Sequence, residues 1–95
     1  MNNKLRDENT DMLFDGLLTL KSREELYRFF EDLCTIPDIK ALAQRFYVAK
    51  LLDEGVVYTE IEQKTGASSA TISRVNKCLQ YGADGYNLAI ERLKK

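Results

Sequence analysis

The sequence predicts an all-α fold of six helices, and three observations carry that prediction. Apolar residues recur at helical spacing over almost the whole chain. Serines, threonines and a proline of the kind that start helices alternate with glycines that stop them. No segment reads as a strand, because the β-prone run Val56, Val57, Tyr58 is too short. The chain of 95 residues reads as a single domain, and at that size one core stabilises only modestly, so a partner subunit is expected.

The first helix spans about residues 7 to 20, with Leu13, Phe14, Leu17, Leu18 and Leu20 on one stripe. Ser22 and Glu25 form a capping box, in which each side chain can bond the other residue's main-chain N–H. They open a second helix that runs to about Leu33 and turns Leu26, Phe29, Phe30 and Leu33 inward. Pro37 suits the first turn of a third helix, where its missing N–H is no loss, and that helix runs to Glu54 before Gly55. Its apolar set is Ile39, Leu42, Ala43, Phe46, Val48, Ala49, Leu51 and Leu52, too wide for one face, as in a helix contacted from several sides.

Thr59 and Glu62 make a second capping-box pair, opening a short fourth helix that Gly66 ends where the turn needs positive φ. Ser68 is the expected N-cap of a fifth helix to about Tyr81, striped by Ile72, Val75 and Leu79 with Cys78 beside them, and Gly82 stops it. A sixth helix, about residues 84 to 94, buries Tyr86, Ala89, Ile90 and Leu93 by the same spacing.

Several function classes are excluded or disfavoured. No run approaches the roughly 18 apolar residues of a membrane span, and MNNKLRDENT lacks the apolar stretch of a secretory signal, so the expected location is the cytoplasm, with no membrane partner. Cys34 and Cys78 lack a metal-type spacing and sit at apolar-periodic positions; buried reduced thiols are expected, and no metal. With no histidine, Gly-rich phosphate loop or nucleophile elbow, the chain is not expected to be an enzyme. An acid–base pair would have to come from Glu31 and Asp32, whose side chains diverge by about 100° on a helix.

The formal charge of −1 argues against a generally basic nucleic-acid binder, but the sign is uneven: −3 over residues 1–36, +1 over 37–81 and +1 over 82–95. A local cationic face on an acidic body is compatible with that distribution. Residues 58–79 supply a candidate for it. A helix-turn-helix clamps two short helices at a wide angle and leaves the start of the second free to enter a major groove. Ile61, Ala67, Ile72 and Val75 fall where clamping side chains are wanted, with Gly66 in the turn. Ser69, Ala70, Thr71, Ser73, Arg74 and Lys77 are small, hydroxylic or cationic, so they allow close approach and can bond bases or phosphates. No carboxylate lies between Gly66 and Gln80. The plainer reading of the same residues is an ordinary αα-corner, with Ser and Thr serving only as caps.

The stretch TGASSATISR resembles the turn and recognition helix of the Trp repressor superfamily, and IPDIKALAQR and LLDEG precede it in the same order. The YerC/YecD-like branch of that superfamily is similar over nearly the whole chain, from LKSREELYRFFEDLCTIPDI through LAQR to CLQYGADGY. The resemblance implies a six-helix Trp-repressor-like fold forming an intertwined homodimer, with residues 1–35 and 82–95 as dimerisation helices and residues 58–79 as the helix-turn-helix. It implies a DNA-binding regulator of transcription, a repressor by analogy, on a roughly palindromic double-stranded operator. Ser69, Ala70, Thr71 and Ser73 would lie at the base-facing start of the recognition helix, with Ser68 and Arg74 also among the DNA-binding residues, Lys77 at a phosphate, and Thr59 near DNA from the preceding helix. Glu62 stands where the family has a basic residue.

The resemblance also implies an effector pocket framed by two arginines, matched here by Arg45 and Arg74. A guanidinium pair can grip a carboxylate with bidentate bonds. The match at Arg45 requires one residue to be dropped between Leu52 and Thr59, and Val75 stands where the repressor has glycine, filling space an indole ring needs. No tryptophan response and no cofactor are therefore expected, which leaves an unidentified small-molecule corepressor, or none. Arg45 and Arg74 could instead contact phosphate or pair with Asp38, Asp53 or Glu54. A reading of another class is a helical protein-binding scaffold dimer without DNA affinity, favoured by the acidic first third and by Glu62.

Overall fold

A computed structural model describes residues 4–95. Among them lie six helices and no strand: α1 (Glu8–Leu18), α2 (Arg23–Leu33), α3 (Ile36–Asp53), α4 (Tyr58–Thr65), α5 (Ser69–Tyr81) and α6 (Gly85–Leu93). The chain divides into two compact units, Met1–Ile39 and Lys40–Lys95, with the division falling inside α3.

In the first unit, side-chain caps set the helix starts. Asp7 accepts from the Thr10 N–H at 2.7 Å and opens α1. Ser22 Oγ accepts from the Glu25 N–H at 3.1 Å, as the capping box requires, but Glu25 Oε1 reaches one residue further back, to the Lys21 N–H at 2.8 Å. A reciprocal pair that the sequence reading missed opens α3: the Thr35 N–H donates to Asp38 Oδ2 at 3.1 Å and the Asp38 N–H to Thr35 Oγ1 at 3.3 Å. Pro37 falls in the first turn that this pair caps.

No residue of α1 or α2 is buried. Phe29 and Phe30 are half-buried and meet edge to face at 5.9 Å, but Leu26 and Leu33, expected to face inward, are exposed. Met12, Leu18 and Ile36 are 68%, 82% and 71% exposed. Of the stripe expected on α1, Leu13, Leu17 and Leu20 are half-buried while Phe14 and Leu18 are exposed.

The second unit holds the whole core: Val48, Ala49, Leu51, Ile61, Ala67, Ile72, Val75 and Ile90. It draws on α3, α4, α5 and α6 and on the turn before α5. Among the described residues it contains no buried polar or charged group. Phe46 and Tyr86 stack against it with ring centroids 6.4 Å apart. Leu42 and Ala43 of α3 stay exposed, as do Ala89 and Leu93 of α6, so the inward face of the last helix is narrower than its periodicity foretells. Lys94 Nζ and Asp53 Oδ2, 2.9 Å apart, link the end of α6 to the end of α3, and this contact raises the lysine's pKa.

Gly82 closes α5 because no other residue fits there: a Cβ would stand 2.5 Å from the carbonyl oxygen of Cys78. Beyond it, Asn87 Nδ2 donates to the Leu79 carbonyl at 2.9 Å and to Asp84 Oδ1 at 2.8 Å, holding the start of α6 against the last turn of α5. Cys34 is half-buried and Cys78 exposed, both unpaired, which corrects the expectation of buried thiols. Cys78 lies beside the Ile72–Val75–Leu79 stripe rather than within it. No helix among the described residues is long and apolar enough to cross a membrane.

Candidate nucleic-acid interface

Two short helices and a tight turn aim the candidate surface. The four expected clamping residues, Ile61, Ala67, Ile72 and Val75, are all buried, and α4 packs on α5. Gly66 ends α4 in the left-handed region at φ 73°, its N–H bonded to the Glu62 carbonyl. That conformation disfavours any side chain carrying a Cβ. Thr65 then organises the turn, donating from Oγ1 to the Ile61 carbonyl at 2.8 Å and accepting from the Ala67 N–H at 3.1 Å. Gln44 of α3 donates to the Thr65 carbonyl at 3.1 Å.

The start of α4 differs from the sequence reading. Thr59 is not an N-cap: the helix begins two residues earlier than that cap would place it, at Tyr58, after Val57, with no side-chain cap. The main-chain bonds Glu60 N–H to Val57 O and Ile61 N–H to Val57 O close the first turn instead. The Thr59–Glu62 pair therefore lies inside the helix and forms no box. Thr59 is exposed at its second position.

On α5, Ser68 serves as the N-cap. Its Oγ accepts from the Thr71 N–H at 3.2 Å and donates to Thr71 Oγ1 at 3.2 Å. Both hydroxyls are therefore engaged with each other at the helix start. Ser69, Ala70, Ser73, Arg74 and Lys77 are exposed, while Thr71 is half-buried. The carboxylate-free stretch runs from Gln63 to Ala83 and carries Lys64, Arg74 and Lys77. Lys64 pairs with Glu60 at 3.8 Å and Lys94 with Asp53, while Arg74 and Lys77 have no carboxylate partner among the described residues.

Arg74 borders two hollows. On the inner side, a cleft of about 410 Å³ is lined by Arg45, Arg74, Gln44, Thr71, Val75 and Tyr86, among others. The two arginines of the expected effector pocket thus line one cleft, with Thr71 also in its wall. Neither pairs with an acid: Asp38 caps α3 and Asp53 holds Lys94, which removes two of the proposed ion-pair partners. On the outer side, an open groove of about 520 Å³ is lined by Tyr58 of α4 and by Ala70, Ser73, Arg74, Asn76, Lys77 and Gln80 of α5. Tyr58, Asn76 and Gln80 were not singled out from sequence. Gln80 continues the Ala70–Ser73–Lys77 spacing and was legible; Tyr58 was hidden by the mistaken start of α4.

The chain matches the family model described as Trp repressor protein over residues 8–94. It is 56% identical over 92 residues to YerC of Bacillus subtilis (strain 168), an uncharacterized protein, covering 97% of this chain and 88% of that one. The crystal structure of a TrpR-like protein from Eubacterium eligens superposes with a TM-score of 0.94 at 55% identity, covering 98% of this chain and 96% of the other. That of a Staphylococcus aureus protein gives 0.94 at 50% identity, covering 99% and 95%.

Proposed function

The chain belongs to the Trp repressor family, and from that premise we propose that it is a sequence-specific DNA-binding regulator of transcription, a repressor that acts as a homodimer. The helix-turn-helix of α4 and α5 would enter the major groove. One observation carries the reading: a solvent-facing, carboxylate-free stripe, with the unpaired cations Arg74 and Lys77, stands on a fully buried clamp. Ser69, Ala70 and Ser73 are small enough for α5 to approach base edges, and the two cations suit phosphate or guanine. Thr59 would meet DNA from α4, while Ser68 would contribute through the helix start that it caps.

The homodimer is supported by the uncovered apolar face of α1 and α2, in which no residue is buried. In characterised helix-turn-helix dimers, Trp repressor among them, the reading helices stand about 34 to 36 Å apart, one turn of DNA. The corresponding operator is roughly palindromic. The Arg45–Arg74 cleft is the place for a small anionic corepressor, and Val75 argues against tryptophan as that molecule, since its side chain lies in the core beside the cleft.

Titrating labelled genomic fragments with the protein over a range of salt tests this reading. Binding should fall steeply as salt rises, because counterions released from phosphates drive it. Absence of binding at low salt would favour a protein-binding scaffold, to which the acidic residues 1–36 would then belong.

A further inference from the structure

We infer that the outer groove between Tyr58 and α5 seats one backbone phosphate of each DNA half-site, with Tyr58 and Gln80 as neutral donors beside Lys77; this rests on the DNA-binding reading above. Three features point there. The groove walls include Arg74 and Lys77 and no carboxylate, so an anion meets no repulsion. The remaining polar walls can all donate without charge: the hydroxyls of Tyr58 and Ser73 and the side-chain amides of Asn76 and Gln80. Gln80 Nε2 donates to Asn76 Oδ1 at 3.5 Å, a long bond that loosely orients the two amides and leaves N–H groups of both unused.

Helix geometry decides which part of DNA this end of α5 meets. From Ala70 to Gln80 the stripe extends about 15 Å at the α-helical rise, whereas a major groove is only about 12 Å wide. When the start of α5 sits at base edges, its far end lies over a sugar–phosphate strand. A single oxyanion there can accept from a charged and a neutral donor together, as phosphate contacts commonly do. Tyr58 reaches the same place from the first turn of α4, so one phosphate would bridge both helices of the motif and fix the angle at which α5 enters.

The test uses the full-length protein and a duplex selected by it from a random pool. Tyr58→Phe and Gln80→Ala are exposed changes, and unchanged thermal melting establishes that both variants fold. Each should weaken binding roughly three- to tenfold, the worth of about one hydrogen bond. The loss should be equal on selected and unrelated duplexes, with the salt slope unchanged because neither side chain carries charge. Lys77→Ala should instead lower that slope by about one. Neutralising phosphates one at a time as methylphosphonates should then reveal a position at which wild type loses affinity and Tyr58→Phe loses no more. Full affinity in both neutral variants, a loss confined to the selected sequence, or strictly additive losses at every phosphate would overturn the seat while leaving DNA binding intact. A wild-type protein that binds no duplex at low salt would sink the regulator reading and the seat with it.

Discussion

The side-chain amide of Gln44 donates to the main-chain carbonyl of Thr65 across 3.1 Å, so the long helix that supplies much of the core also pins the turn that aims α5. Thr65 in turn bonds the Ile61 carbonyl and the Ala67 N–H, which links three successive parts of the motif through one residue. Gln44→Ala should cost about 1 kcal/mol, since a half-buried carbonyl loses its partner. Urea denaturation measures it; an unchanged midpoint would show that water replaces the amide at no cost.

Gly66→Ala should be more damaging per atom added. A Cβ there meets nothing closer than 3.9 Å, so the penalty is purely that of holding an L-residue at φ 73°. About 1 to 2 kcal/mol is expected. A fall in melting temperature, together with weaker DNA binding as the turn relaxes, would bear this out.

Acid should loosen the start of α1 before it touches the second unit. The Thr10 N–H bonded to the Asp7 carboxylate holds its pKa below the ordinary carboxylate value. A depressed native pKa contributes stability that is present above the unfolded-state value and is lost as pH falls through the native one. The protection of the Thr10 amide, its exchange relative to the intrinsic rate at the same pH, should therefore fall on acidification below about pH 4. Asp7→Asn keeps a capping oxygen and should abolish that acid dependence; persistence of the dependence in the variant would assign it to another group.

Leu18 is 82% exposed on a helix with no buried residue. Leu18→Lys should shift sedimentation from twice the chain mass to the chain mass and weaken operator binding, while the second unit keeps its helices. A variant that remains dimeric would place the subunit contact on another face.

Calorimetric titration of the pure protein with L-tryptophan should give no saturable heat. Val75 is 2% exposed and belongs to the clamp, so its side chain cannot withdraw to admit an indole without opening the core. Clear saturation would show that the Arg45–Arg74 cleft accommodates the ring in another orientation.

Much of this was legible in the sequence because it is local chemistry. The Ser22 and Ser68 caps, the left-handed Gly66 and the four clamping residues each follow from side-chain type and spacing. Thr59 has the same cap pattern as Ser22 yet caps nothing, because the main-chain bonds from Glu60 and Ile61 to the Val57 carbonyl already close a first turn that includes it. Periodicity likewise marked Leu26, Leu33, Ala89 and Leu93 as one-sided, but it cannot say whether a single chain owns the surface that would cover them. The outer groove needed two helices brought side by side, which no linear spacing displays.

Every buried side chain among the described residues is apolar, and the chain contains no histidine. The interior of the described residues therefore has no side-chain proton to take up or release near neutrality, and the acid-sensitive contact of Asp7 with Thr10 lies on the surface, at the start of α1. A core of this kind resists titration from within, which leaves the surface hollows and the exposed flanks as the parts of the molecule that can respond to their surroundings.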